Sequence, residues 1–281
     1  MIDLTQLIEQ ANELAPLPAS TVRLAGLIGN PDCHLDDVTE LIVFDQALTL
    51  KLLRAANSAA SASLVRVANV REAVTRMGTA QVLALAVAAG AKRFLQTRLP
   101  EYDLDEGVLW RHSVAAAVAA ETMQACGSVE SPPETFTAAL LHDVGKLVMA
   151  RFLSPEILGF IRRAREVDHL GQLETESLLL GANHAELGGL IAQHWNLPPR
   201  VVQGIIYHHN PGEGQDVICD LTYLANQLAK RIEAGLDGRY FDLSILPEVA
   251  QRLALTPKTL DNLCPIAAAR YTQVSRRYNA V

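Results

Sequence analysis

The sequence predicts an all-α chain, a two-lobed helical bundle, and three observations carry that expectation. Apolar residues recur at helical spacing through nearly every segment, and no stretch alternates convincingly with the two-residue period of a strand. Aromatic residues make up 5% of the chain while alanine and leucine abound, which suits helix better than sheet. Pro, Gly, Asn and Asp separate the periodic segments as helix punctuation. At 281 residues and 49% hydrophobic, the chain can bury a substantial core.

A first helix over about 3–15 stops before Pro16, and Leu17-Pro18 leads into a second over about 19–29, ended by Gly29-Asn30-Pro31. Helices over about 35–43 and 46–59 follow, the segment from Asp45 to Asn57 reading as an amphipathic helix. Ser58 to Ala68 is small and polar enough to contain a loop. Asn69 is placed to cap a helix over 70–77 that Gly78 breaks, and 79–97 reads as a buried helix. Leu99-Pro100-Glu101-Tyr102-Asp103 marks the boundary between an N-terminal lobe, residues 1–98, and a C-terminal lobe, residues 99–281.

In the second lobe a long helix over about 105–126 holds His112. Ser131-Pro132-Pro133-Glu134 has the capping-box pattern of a helix start, and that helix is expected to carry His142 and Asp143. Ser154-Pro155-Glu156 starts the next helix. Asn183-His184-Ala185-Glu186 starts another, with Asn183 as cap and His184 in the first turn. Leu197-Pro198-Pro199 opens a helix expected to end at His208-His209, before Asn210-Pro211-Gly212. A helix over about 216–235 contains Asp220 and Asn226, and Thr256-Pro257 opens the C-terminal helical segment.

A formal net charge of −7 offers no bulk signature of a nucleic-acid or membrane-surface binder. The four cysteines (Cys33, Cys126, Cys219, Cys264) are scattered with no C-x-x-C spacing, which points to reduced thiols in a cytoplasmic protein. The N-terminus lacks the basic and apolar regions of a signal peptide, and the run Val82 to Ala91 is too short to span a bilayer. No Gly-x-Ser-x-Gly elbow, Walker loop or dinucleotide fingerprint is present.

The chemistry concentrates at residues 140–147, Leu-Leu-His-Asp-Val-Gly-Lys-Leu. Imidazole and carboxylate form a ligand set for borderline divalent metals. Helical spacing puts Lys146 on the same side as His142 and Asp143. His112, His184, His208 and His209 are candidate partners from other helices. Each has a plain alternative. His142 and Asp143 can satisfy one another in a buried polar network. His112 can be an interhelical histidine, and His184 can decorate a helix N-terminus. One of His208 and His209 can serve as a C-terminal helix partner, and Lys146 can be a solvated charge. Glu186 suits the capping box, Trp110 and Trp195 suit a core, and His34, His169 and His194 fall outside the pattern.

The order His112, His142-Asp143 and a later acidic position resembles the HD superfamily of metal-dependent phosphohydrolases, with His184 and His208-His209 similar to additions in the HD-GYP phosphodiesterases. More narrowly, the chain resembles the HDOD (HD-related output domain) family over about residues 14–212. In the first half the likeness rests on Leu17-Pro18-Ala19, Asp45-Gln46-Ala47-Leu48-Thr49, Leu53-Arg54-Ala55-Ala56-Asn57-Ser58, Val70-Arg71-Glu72-Ala73-Val74 and Met77-Gly78. In the second half it rests on Leu109-Trp110-Arg111-His112-Ser113, the His142-Asp143 segment, Asn183-His184-Ala185-Glu186-Leu187-Gly188, Trp195-Asn196-Leu197-Pro198 and Tyr207-His208-His209.

The resemblance implies an HD-like C-terminal lobe and a stand-alone signalling or regulatory module that acts by binding a signalling protein or a small phosphate-containing ligand; from the bulk charge, nucleic acid and membrane are not expected partners. Its alternative is a metal-dependent phosphohydrolase acting on a nucleotide or another phosphate ester. A third variant is a sensor that binds a nucleotide or metal in a degenerate cleft. The implied cofactor is a divalent metal: iron, manganese, zinc or nickel. His112, His142, Asp143 and Asn226 would hold one ion, with His184 and His208 or His209 at a second position. Asp143 and Lys146 would serve the reaction, Lys146 by offsetting phosphate charge. Two departures weigh toward the regulator. Ala225-Asn226 stands where HD enzymes carry Ala-Asp, and a neutral carbonyl is a poorer partner for a dication than a carboxylate. Asp220 lies six residues earlier and faces elsewhere on its helix. After the His-His pair the chain reads Asn210-Pro211-Gly212-Glu213-Gly214, without Gly-Tyr-Pro, so cyclic-dinucleotide cleavage is not expected.

Overall fold

Proline breaks and side-chain caps set most helix boundaries in the N-terminal half. A computed structural model describes residues 4–28, 32–57, 66–126, 130–166, 170–234 and 245–279. The expected stop at Gly29-Asn30-Pro31, most of the loop after Ser58, and His169 lie outside the described residues. Helix α1 spans Leu4–Glu13 and α2 spans Ala19–Ile28, the carbonyl of Pro18 accepting from the amides of Thr21 and Val22. Helix α3 covers Leu35–Val43. Asp45 caps α4 (Gln46–Ala56), its carboxylate accepting from the Leu48 amide at 2.9 Å. Asn69 caps α5 (Val70–Met77) in the same way through Glu72. Gly78 ends α5 with φ +81, a conformation that costs glycine least, and α6 (Thr79–Leu95) follows.

Residues Pro16–Lys92 and His194–Pro198 group into one compact unit; Met1–Ala15, Arg93–Gln193 and Pro199–Val281 group into another. The sequence suggested a single cut near residue 98. Instead α1 groups with the histidine-bearing residues, and the chain changes unit within α6. In the smaller unit α3 packs on α2, α4 and α5, with Leu24, Val38, Ile42 and Leu52 fully buried. The Asn57 side chain clips the Val67 backbone, donating to its carbonyl and accepting from its amide, each at 2.8 Å.

The larger unit continues through α7 (Val108–Ala125), α8 (Thr135–Leu141), α9 (Lys146–Met149), α10 (Pro155–Glu166), α11 (Gln172–Leu180), α12 (His184–His194), α13 (Pro199–Ile206), α14 (Val217–Glu233), α15 (Pro247–Arg252) and α16 (Pro257–Asn279). Helix α7 is central, packed on α8, α14 and α16. Its alanines, Ala115, Ala116 and Ala119, let those neighbours approach and join Leu221, Leu224, Leu228 and Leu263 in one core. Trp110 and Trp195 are buried as expected, while His34 and His194 are exposed. The capping box expected at Ser131 to Glu134 does not form. Glu134 occupies the N-cap position without a side-chain cap, and the Thr135 amide bonds the Pro132 carbonyl instead. Among the described residues there is no strand, and no single helix is long and apolar enough to cross a membrane.

Candidate metal centre

Glycines bring the ligand-bearing elements together in the larger unit. The sequence reading put His142 and Asp143 on a helix; instead α8 ends at Leu141 and residues 142–145 form a tight turn. The amide of Val144 bonds the Leu141 carbonyl (2.9 Å), and that of Lys146 bonds the Asp143 carbonyl (3.1 Å). The turn packs backbone to backbone on the start of α12. A Cβ on Gly145 would lie 1.9 Å from the His184 carbonyl oxygen and 2.6 Å from the Gly188 nitrogen. A Cβ on Gly188 would lie 2.9 Å from Ile205, and one on Gly204 would lie 2.8 Å from Ala138. Glycine is thus the residue that permits these contacts of α8, α12 and α13.

Each ligand candidate has its own anchor. The expected capping box at α12 is present: Asn183 Oδ1 accepts from the Ala185 and Glu186 amides, and Glu186 accepts from the Asn183 amide. That fixes His184 at the helix start. Helix α13 ends at Ile206, short of the expected His208-His209, which follow in the turn beyond it. His112 comes from α7 and Asn226 from the middle of α14. Asp220 does not reach the centre, because its carboxylate takes a two-pronged bond from Arg252 at 2.8 and 2.6 Å.

The seven other residues implied by the resemblance gather around Asp143. On its Oδ2 side stand His142 Nε2 (3.4 Å), His112 Nε2 (3.8 Å) and Lys146 Nζ (2.6 Å). Asn226 Oδ1 is 3.2 Å from His112 Nε2. On the Oδ1 side stand His184 Nε2 (3.3 Å) and His208 Nε2 (3.8 Å), and His209 Nε2 lies 3.1 Å from His184 Nε2. The donor atoms of His112, His142 and Asp143 lie within 4.8 Å of one another, as do those of His184, His208 and His209.

Second partners fix the imidazole tautomers. Carbonyl and carboxylate oxygens only accept, so the nitrogen facing them carries the proton. His142 Nδ1 donates to the Ala139 carbonyl and His208 Nδ1 to the Ile205 carbonyl, both at 2.7 Å. His184 Nδ1 donates to Glu176 at 2.6 Å and His112 Nδ1 to Glu233 at 2.9 Å. For His142 and His208 this leaves the Nε2 lone pair facing inward, the arrangement by which outer partners orient metal-binding histidines, whereas the Nε2 atoms of His184 and His112 face oxygens of Asp143 and Asn226. Among the described residues no hydrogen-bond partner reaches His142 Nε2, His208 Nε2 or Asp143 Oδ1, although all three are buried. An unsatisfied buried polar atom costs about 1–3 kcal/mol.

The protonation states of His142, His208 and Asp143 suit a cation, while His184, held toward its protonated form, would give up a proton to bind one. Burial pushes His142 down to about 3 and holds His208 well below the usual histidine range, so both are neutral. Burial also lowers His209. For Asp143 burial acts upward, but Lys146 and His142 outweigh it and hold the carboxyl well below its ordinary value. For His184 burial acts downward, but the facing carboxylates of Asp143 and Glu176 prevail and raise it. With metal–nitrogen bonds of about 2.1 Å, ligands sit about 3.0 Å apart in an octahedral shell and about 3.4 Å in a tetrahedral one. Four of the separations, 3.1 to 3.4 Å, fall in that spacing, and the His112 and His208 contacts to Asp143, at 3.8 Å, are longer. The two groups, His112-His142-Asp143 and His184-His208-His209, could each hold a metal ion.

Four contributors escaped the sequence reading. Glu176 sits eight residues before His184 in no recognisable pattern. Tyr102 donates to Glu176 and lies near Lys146. Lys230 and Glu233 follow Asn226 by four and seven residues, so helical spacing from Asn226 would have found them. Burial pushes the Lys230 ammonium down while Asp143 acts to raise it, which makes it a second cation within the field of the centre.

The HDOD domain family model matches residues 14–211. An uncharacterised protein of Treponema pallidum (strain Nichols) is 27% identical over 263 residues, 90% of this chain and 50% of that protein. The chain thus spans about half the length of the curated relative it matches. A "Putative signal transduction protein" of Marinobacter aquaeolei VT8 matches in structure with TM-score 0.68 and 24% identity, over 98% of this chain and 64% of that one. An HDOD domain protein of Geobacter sulfurreducens matches with TM-score 0.62 and 23% identity, over 96% and 89%. A "Putative phosphohydrolase" of Shewanella amazonensis SB2B matches with TM-score 0.60 and 24% identity, over 94% and 97%. These structural likenesses speak to the fold alone. With the family model covering residues 14–211, the chain belongs to the HDOD family.

Proposed function

We propose that this chain is a cytoplasmic HDOD signalling module whose histidine centre holds a divalent metal (iron, manganese, zinc or nickel) and receives a phosphate-bearing small ligand or a signalling protein, acting by binding rather than turnover. The observation that carries the metal is the inward-facing set of buried lone pairs on His142 Nε2, His208 Nε2 and Asp143 Oδ1. His112, His142, Asp143 and Asn226 would hold one ion; His184, His208, His209 and the other oxygen of Asp143 would hold a second. A bound ion would supply Lewis acidity toward a phosphoryl oxygen. The chain's own residues do the rest. Glu176, Glu233 and two backbone carbonyls orient the imidazoles. Lys146 and Lys230 set positive charge beside the centre for an anionic ligand.

Binding is favoured over turnover by two features. Asp143 is the one carboxylate shared between both donor groups, with Asn226 supplying only a neutral carbonyl. Lys146 also holds Asp143 Oδ2 in a 2.6 Å ion pair. The second reading, an HD-type phosphohydrolase, draws on the complete histidine set. Calorimetry of metal-loaded protein with nucleotides and phosphate esters, run beside a phosphate-release assay, separates them. Binding without release supports the module. Release that disappears in Asp143→Ala would establish the hydrolase and overturn the binding-only reading.

A further inference from the structure

Tyr102 is not among the ligands, yet it touches the centre twice. Its hydroxyl donates to Glu176 Oε1 at 3.0 Å. Glu176 is 1% exposed, and its two oxygens accept four hydrogen bonds. Oε1 takes those of Tyr102 and Gln172 Nε2, both at 3.0 Å, and Oε2 takes those of the His184 amide (2.9 Å) and His184 Nδ1 (2.6 Å). A buried carboxylate satisfied at every lone pair has one orientation available to it. The ring of Tyr102 meanwhile lies 5.8 Å from the Lys146 ammonium, the group that pairs with Asp143 Oδ2. Such an approach to a ring face is attractive for a cation.

The backbone under Tyr102 is built to hold it. Pro100–Tyr102 is a short 3-10 turn, closed by reciprocal amide-to-carbonyl bonds between Leu99 and Leu104 at 2.8 and 3.0 Å. Asp103 adopts the left-handed conformation, φ +55, to complete the turn. Burial raises the Tyr102 phenol well above its ordinary value, so it remains a donor.

We propose that Tyr102 is a positioning residue of the centre: through Glu176 it fixes the His184 imidazole on the Oδ1 side of Asp143, and through its ring it steadies Lys146 on the Oδ2 side. The link from Tyr102 to His184 is a property of the chain itself; its consequence for metal rests on the metal-centre reading. Without the hydroxyl, Glu176 Oε1 keeps only Gln172, and the carboxylate is free to turn away from His184 Nδ1. Losing an outer partner of a ligating histidine typically weakens metal binding about 10–100-fold.

The test uses the full chain labelled with 15N-histidine, as wild type, Tyr102→Phe and Tyr102→Leu, together with zinc titration calorimetry. In metal-free protein the His184 Nδ1–H resonance, assigned by its loss in His184→Gln, is expected to move in Tyr102→Phe while those of His142 and His208 stay. Zinc affinity is expected to fall about tenfold at one of two positions and to stay at the other. Inorganic phosphate binding is expected to weaken in Tyr102→Leu, where Lys146 loses its ring, and to hold in Tyr102→Phe. An unmoved His184 resonance in Tyr102→Phe overturns the proposal. So does an equal loss of zinc at both positions with a lowered Tm, which is the signature of a merely structural role. If the wild type takes no zinc but the resonance moves, the Tyr102–Glu176–His184 link stands and the metal reading falls. If the wild type binds zinc and Tyr102→Phe matches it in every measurement, the metal reading stands and this proposal falls.

Discussion

Asp143 sets the chemistry at the scale of single residues, because each of its oxygens faces a different group of imidazoles. Asn226 is the weak member, a neutral oxygen 3.2 Å from His112 Nε2. Asn226→Asp adds a charge without changing shape, so metal affinity is expected to rise at least about tenfold in a competition titration. Unchanged affinity would remove Asn226 from the ligand set. Lys146→Ala and Lys230→Met are each expected to weaken inorganic phosphate binding by about tenfold or more while leaving metal content intact, since a charge-assisted hydrogen bond contributes about 1.5–3 kcal/mol. The pH dependence of the metal-free protein follows from its histidines. Burial pushes His142 down to about 3 in the folded chain, against the ordinary histidine value of about 6.5 when unfolded. Between those values the unfolded chain binds more protons, so stability falls as pH drops through that window. His208 and His209 act in the same direction, while the raised His184 opposes them and adds stability at low pH. The net expectation is a lower urea midpoint at about pH 5 than at about pH 7.5, with the difference shrinking in His208→Gln.

Between elements, backbone contact replaces side-chain packing at Gly145, where α8 gives way to the turn that carries Asp143. Gly145→Ala is expected to lower stability by about 3 kcal/mol or more, since neither the His184 carbonyl nor the Gly188 amide is a flexible side chain that can swing aside. Gly159→Ala is the control: nothing lies within 4 Å of a Cβ there, in the middle of α10, and it is expected to stabilise by about 0.5–1 kcal/mol. Chemical denaturation measures both. Helices were legible wherever a cap or proline marks them. Asn69 and Asn183 each cap the helix expected of them, and Asp45 also caps α4, a role its segment's amphipathic pattern did not assign. The errors fell where tertiary contact overrides local pattern. Nothing in Leu-Leu-His-Asp-Val-Gly by itself announces that Gly145 meets another backbone and ends the helix early. The Ser131 to Glu134 box failed because Pro132 supplies the carbonyl that the first turn uses.

For the whole molecule, the all-helical class was legible from periodicity and composition, whereas the grouping of α1 with the histidine-bearing unit was not. Chain order carries no signal for that grouping. The gathering of histidines around Asp143 was legible because these residues stand in recognisable motifs. Glu176, Glu233, Tyr102 and Lys230 act through long-range contacts, Tyr102 meeting Glu176 across 74 residues and His112 meeting Glu233 across 121. What joins these residues into one account is the claim that they surround a divalent metal. Elemental mass spectrometry on untagged protein purified without chelators tests it most directly, beside the variant His142→Ala/Asp143→Ala checked for helical content by circular dichroism. Near-stoichiometric iron, manganese, zinc or nickel in the wild type, falling to background in the folded variant, is the expected result. Wild-type protein that stays metal-free after incubation with all four ions would contradict the account and leave the histidines as a buried polar network.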